Sequence, residues 1–153
     1  MSNSTKAYSC KQEALIAKSL GWFTVVASGA RINHPGDVKS NEWLGECKTH
    51  VTFQDKIIFK LSVWKKLLDE AVSCFKHPVY FVDNGTQSLE HTWCLFIANM
   101  DTGDIDVKKF PNNIQENIIF SDSQMPHGLY SIRFNNQFLY ISDFNTFRRL
   151  VVI

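Results

Sequence analysis

Asp37, Glu46 and Lys48 lie close together in the first third of the chain, with Cys47 between the last two. Side chains on a β-strand alternate faces, so Glu46 and Lys48 would share one face and Cys47 would take the other. A hairpin turning at Ser40-Asn41 would carry Asp37 across to Glu46. Two carboxylates and an ammonium would then converge on one patch. Hard carboxylate oxygens suit Mg²⁺, which keeps several waters of its own. A divalent ion there would activate a water and stabilise charge on phosphorus, while the lysine orients the attacking hydroxide or offsets developing charge. The Cys47 backbone carbonyl would offer a further metal oxygen, leaving its side chain to pack in the core. The chemistry that fits is phosphodiester hydrolysis. A Glu-x-Lys triplet alone is common on solvated hairpins. Here it is raised above that by Asp37 following a Pro-Gly turn, by Glu13 on the preceding helix, and by the strand-to-helix run that follows with Lys60.

Other chemistries lack their residues. No phosphate-binding P-loop, dinucleotide-binding glycine pattern or Gly-x-Ser-x-Gly elbow is present. The cysteines at 10, 47, 74 and 94 form no Cys-x-x-Cys pair, and the histidines at 34, 50, 77, 91 and 127 form no close pair, which argues against structural zinc. His50 is near Cys47 in sequence, but Cys47 alternates away from the charged face, so a thiol nucleophile is disfavoured.

The elements that must position these residues can be read from periodicity. Asn3 or Ser4 caps a helix running to about Leu20, stopped by Gly21. Cys10, Glu13, Ile16, Ala17 and Leu20 fall on one face at helical spacing, which sets a carboxylate on an apolar stripe. A buried carboxylate is costly unless it is paired, hydrogen-bonded or metal-bound; the alternative is a slightly rotated helix with Glu13 at its rim. Strands are expected over Trp22–Ala27, Asp37–Lys39 and Glu42–Phe53, the last broken near His50. Leu61–Phe75 is the clearest helix, with Leu61, Trp64, Leu68, Ala71, Val72 and Phe75 as its stripe. Strands follow at Val79–Val82 and Trp93–Ala98, then a short run at Ile118–Phe120. Leu129–Phe134 and Phe138–Ile141 flank an Asn135-Asn136-Gln137 hairpin signal, and Asp143 caps a terminal helical turn. The order predicts an α/β fold, a mixed central sheet flanked by helices, in one domain of 153 residues.

These residues and this order resemble the PD-(D/E)xK nuclease superfamily, nearest to its Holliday-junction-resolvase branch with its small phage-encoded members. The likeness rests on Glu13, Ser28-Gly29, Pro35-Gly36-Asp37 and Glu46-Cys47-Lys48, followed by the helix at 61–75 and the strand at 79–82, and it covers roughly residues 6–99. Gly36 separates Pro35 from Asp37 where many members have the pair adjacent. The resemblance implies a restriction-endonuclease-like α-β-β-β-α-β core with extra C-terminal strands. It implies Asp37 and Glu46 as ligands of Mg²⁺, with Mn²⁺ as an alternative, Lys48 as catalytic lysine, and Glu13 completing the acidic site directly or through water. Ser28, Gly29 and Arg31 would lie beside the scissile phosphate, with Lys39 and Lys60 on DNA. It further implies a homodimer cutting four-way or other branched DNA. The alternatives are a restriction-like, nicking or repair endonuclease on other DNA, and a nuclease-fold module that binds DNA or protein without cutting. Residues 105–153 have no counterpart in the resemblance and are expected to cap the sheet, build a dimer interface or bind a partner.

Composition bounds these expectations. A chain with 44% hydrophobic and 20% charged residues is globular. Its net charge of +1 argues on its face against a polyanion ligand. That total divides unevenly, at +4 over residues 1–79 and −3 over residues 80–153. The basic half holds the candidate site, and several of its acids are the expected metal ligands. The N-terminus carries no apolar signal core and no run is long enough to span a membrane. The expectation is therefore a cytoplasmic protein, in the host cytoplasm if phage-encoded, with reduced thiols.

Overall fold

The runs His77–Asp83 and Thr92–Ile97 are apolar nearly throughout, and strands of that kind need cover on both faces. In the computed structural model, which describes residues 3–25, 36–112 and 114–152, they are neighbours in the middle of an eight-stranded sheet. In chain order the elements are α1 (Asn3–Leu20), β1 (Phe23–Thr24), β2 (Val38–Lys39), β3 (Trp43–Lys48), β4 (Lys56–Lys60), α2 (Leu61–Ser73), β5 (His77–Asp83), a 3₁₀ turn (Leu89–His91), β6 (Thr92–Ile97), β7 (Val107–Lys109), β8 (Asn117–Ser121), β9 (Leu129–Phe134), β10 (Gln137–Asp143) and α3 (Phe144–Val151). The sheet runs β1-β2-β3-β5-β6-β10-β9-β7, with β4 and β8 forming a separate antiparallel ribbon. Among the described residues only the β3–β5 and β7–β9 pairs are parallel, so the protein is α/β with a mixed, mostly antiparallel sheet.

Two apolar layers cover that sheet. On one face Ile16, Ala17 and Leu20 of α1 and Phe144 and Phe147 of α3 pack on Cys47, Val79, Phe81, Cys94 and Phe96. On the other, Trp64, Leu67 and Ala71 of α2 and the β4–β8 ribbon pack on Leu44, Tyr80, Val82, Trp93 and Leu95. Each fully buried Leu, Phe or Val contributes about 1.5–3 kcal/mol relative to exposure. The crossover from β3 through β4 and α2 returns the chain beside β3 in parallel, pairing Glu46 with Tyr80 and Lys48 with Val82.

Several expectations shift in detail. The strand expected to reach Phe53 ends at Lys48, beyond which the chain turns across the end of β5. The strand expected over Trp22–Ala27 is Phe23–Thr24, and Val26 and Ala27 lie outside the described residues. Helix α1 is rotated so that Gln12 joins Ile16, Ala17 and Leu20 on the buried face; Cys10 is exposed and Glu13 half-buried at the rim. The amide of Gln12 finds a carbonyl at the end of the sheet, a contact the apolar spacing does not register. The last fifty residues are integral to the sheet: β10 pairs antiparallel with β6 over Leu139–Asp143, and β9 and β7 extend it. The β9–β10 turn holds Asn135 and Asn136 at φ of +47° and +62°, the left-handed pair that a tight hairpin demands. Asp143 caps α3 by accepting from the Thr146 N–H at 3.2 Å.

Candidate active site

The site begins with a turn. Gly36 sits at φ +76°, and a Cβ there would stand 2.6 Å from Leu44 Cδ1 and 3.2 Å from the Gly45 carbonyl oxygen. Glycine lets the chain lie flat against β3 at this point. The next residue, Asp37, donates its N–H to the Gly45 carbonyl at 2.8 Å. Its carboxylate Oδ2 accepts the Cys47 N–H at 2.9 Å. The side chain thus satisfies a strand edge where the β2–β3 pairing has run out, and it is fixed against Glu46.

On the α2 face of β3, Glu46 and Lys48 stand side by side, with Nζ 3.7 Å from Oε1. The Glu46 side chain is 24% exposed and that of Lys48 52%. The Asp37 and Glu46 carboxyl groups are within hydrogen-bonding reach of each other. Burial first, then the Asp37 charge and that hydrogen bond, push the Glu46 carboxyl up to about 8, against a smaller opposing pull from Lys48. Glu13 approaches from the α1 rim. Burial and the Asp37 charge raise its carboxyl to about 7, again partly countered by Lys48. Three carboxyls thus crowd around one ammonium, and Glu46 and Glu13 keep protons that exposed glutamates would have lost.

Cys47 points to the opposite face, where it is buried among the α1 and α3 contacts. Burial, followed by the charges of Asp37, Glu13 and Glu46, holds its thiol protonated well above the ordinary range. It is unsuited to nucleophilic attack. Its carbonyl is another matter. The N–H and C=O of one strand residue point to the same edge, and the Cys47 N–H points at Asp37, so the carbonyl faces that edge too. The donor set is all oxygen. Among the described residues, no three His, Cys, Asp or Glu side chains gather closely enough to enclose a metal. A cation would rest on Asp37, Glu46 and the Cys47 carbonyl, with Glu13 reaching it through water. Mg²⁺ accepts a small set of oxygens and keeps several waters of its own, and a bound cation would displace the protons that Glu46 and Glu13 retain.

Comparison with family models, curated proteins and solved structures adds no relative. None of the three gave a match to this chain. The site therefore stands on its own geometry.

Of the other expected residues, Ser28, Gly29 and Arg31 lie outside the described residues. Lys39 is exposed on β2, two residues from Asp37 and on the same face. Lys60 ends β4 at the start of α2 and is exposed. Its backbone N–H serves the Tyr80 hydroxyl, and Tyr80 stands directly beside Glu46 on β5. Three neighbours escaped the sequence reading. Buried Gln12 donates its side-chain amide to the Lys48 carbonyl at 2.8 Å, fixing the end of β3. The Tyr80 phenol, raised to about 12 chiefly by burial, lines the floor beside Glu46. Glu70 of α2 adds a further repulsion that raises Glu46. Gln12 adjoins Glu13 in sequence, which was the available signal; Tyr80 and Glu70 depend on the crossover geometry and had none.

Proposed function

We propose that this protein is a metal-dependent DNA endonuclease that hydrolyses phosphodiester bonds, with four-way or other branched DNA as its substrate and a homodimer as its working form. The observation that carries the reading is the Asp37–Glu46–Lys48 patch, in which two apposed carboxyls stand beside one ammonium just past the end of the β2–β3 pairing. Mg²⁺, with Mn²⁺ as the alternative, would supply water activation and charge neutralisation at phosphorus when bound. Asp37 and Glu46 would hold it, with the Cys47 carbonyl beside them. Glu13 would orient a water at the acidic edge. Lys48, half exposed, is free to swing from Glu46 to a phosphate oxygen and to offset its charge. The order of helix, antiparallel meander, crossover helix and parallel strand is in keeping with the likeness to PD-(D/E)xK nucleases; the junction substrate, and the two-fold partner that symmetric cutting of two strands requires, are taken from that resemblance. The test compares four-way junction, fork, flap and linear duplex in one Mg²⁺ cleavage assay. Faster cutting of the junction is expected; preference for linear duplex would overturn the junction assignment and keep the nuclease chemistry.

A further inference from the structure

An exposed phenylalanine is ordinary when it stands alone on a surface, and Phe23 and Phe75 are of that kind; the Phe138 ring is already covered by the Arg133 guanidinium, 5.4 Å from its centroid. Phe53 differs because the backbone beneath it is clamped. Gly85, at φ +94°, lets the Thr52 carbonyl oxygen come within 2.3 Å of where a Cβ would stand, with Phe53 Cα at 3.2 Å. Next to it, the Gln54 N–H donates to the Asn84 carbonyl at 2.7 Å. The Asp55 carbonyl accepts from the Asp122 N–H at 2.8 Å, and the Asp55 carboxylate accepts from the Ser123 N–H at 2.9 Å. The loop from Thr49 to Asp55 is thus pinned to the end of β5 and to the chain after β8. Even so, it holds Val51 at 55% and Phe53 at 65% exposure.

Its position matters as much as its rigidity. Phe53 follows Lys48 by five residues, so it lies within about 17 Å of the lysine, a span of about five base-pair steps. Exposed Lys48 and Lys56 bracket the loop. An exposed aromatic ring on a pinned loop flanked by basic residues suits the gripping of unpaired bases: cations follow the phosphates and the ring stacks on a base of any identity. A protein that only needed to close this loop would gain by folding the ring inward.

We propose that Phe53 is a base-stacking residue that receives an unstacked nucleobase of branched or single-stranded DNA beside the Lys48 patch. The proposal takes its place on the substrate from the nuclease reading, but its test does not need cleavage. Full-length protein in EDTA would be titrated with three DNAs: a single-stranded oligonucleotide, a four-way junction carrying 2-aminopurine at the branch, and an intact duplex. Phe53→Ala is expected to weaken the first two by about 5- to 150-fold, to abolish the change in 2-aminopurine emission, and to leave the duplex unchanged. Phe53→Trp is expected to retain binding, and Lys56→Ala to weaken all three alike. Equal weakening of every DNA by Phe53→Ala, or none, would overturn the proposal. Wild-type protein that shows this binding pattern yet cuts no DNA with Mg²⁺ would overturn the nuclease reading alone. Protein that binds none of the three DNAs in EDTA and cuts none with Mg²⁺ would overturn both.

Discussion

Two groups of carboxyls lie around the central sheet and live under opposite conditions. In the C-terminal half, Asp122 is enclosed by donors: Trp93 Nε1 at 2.7 Å and Asn84 Nδ2 at 3.2 Å, with His91 Nδ1 at 2.8 Å. Asp143 likewise receives the Gly128 N–H at 2.9 Å, the Thr146 N–H at 3.2 Å and the Thr146 hydroxyl at 2.6 Å. At the β2–β3 edge, Asp37 has one backbone donor, and Glu46 and Glu13 are pushed up by burial and by each other's neighbour. The first group is a finished hydrogen-bond network, which is what holds a fold together. The second is electrostatic conflict retained among partly exposed side chains, and such conflict clusters where chemistry is done. Under the proposed function, Asp122 and Asp143 hold the fold, and Asp37, Glu46 and Glu13 form the site.

Mutation should separate the two groups most sharply. Asp37→Ala and Glu46→Ala are each expected to slow Mg²⁺-dependent DNA cleavage by about 10²- to 10³-fold or more while the protein stays folded. Asp122→Ala should do the reverse. Leaving the Trp93 and Asn84 donors unsatisfied costs about 1–3 kcal/mol each, which lowers Tm by on the order of 10 °C in a chain of this size. Parallel thermal melts and cleavage rates check both. A destabilised Glu46→Ala or a thermally unchanged Asp122→Ala would erase the distinction.

The pH dependence should follow next. Glu46 and Glu13 hold their protons more tightly in the folded protein than in the unfolded chain. Between the ordinary glutamate value and about 8, unfolding therefore releases protons. Stability of the metal-free protein is expected to fall as pH rises through that window, and Glu46→Gln should flatten the fall. Mg²⁺ should restore stability most at the alkaline end, because its ligands must be deprotonated to bind it. A Tm that is level from pH 5 to 8.5 in EDTA would contradict the conflict described at the β2–β3 edge.

The smallest expected effect concerns the satisfied group. Asp143→Ala removes a helix cap worth about 1 kcal/mol, or about 2–4 °C in Tm, with cleavage at permissive temperature unchanged. Asp143→Asn should recover most of the loss. A Tm loss as large as that of Asp122→Ala would mean that the Gly128 N–H, which Asp143 also holds at 2.9 Å, weighs more than the cap of α3.

The sequence disclosed the parts of this molecule whose signals are local. Periodicity located α1 and α2, alternation set Glu46 and Lys48 on one face with Cys47 opposed, and the Asn-Asn pair marked the β9–β10 turn. What it concealed depends on distant pairing. The three residues of β7 carry no period of their own and are a strand only because β9 lies beside them. Residues 129–143 read as an appendage, yet they complete the sheet against β6, because the strand order is set by which apolar faces remain uncovered. Cys10 and Glu13 shared a stripe by spacing alone, while the Gln12 amide turned the helix toward the Lys48 carbonyl. Tyr80 and Glu70 reach Glu46 only through the β3–α2–β5 crossover.

The central claim is that the conflicted carboxyls, and not the satisfied ones, exist to hold a cation for phosphodiester cleavage. Its most direct test is a four-way-junction cleavage assay with Mg²⁺ or EDTA, on wild-type protein and on Glu46→Gln, with the folded state of each confirmed by melting. The account predicts cutting by wild-type protein with Mg²⁺ alone, and a Glu46→Gln protein at least as stable in EDTA that does not cut. Cutting in EDTA, or wild-type rates from Glu46→Gln, would contradict it.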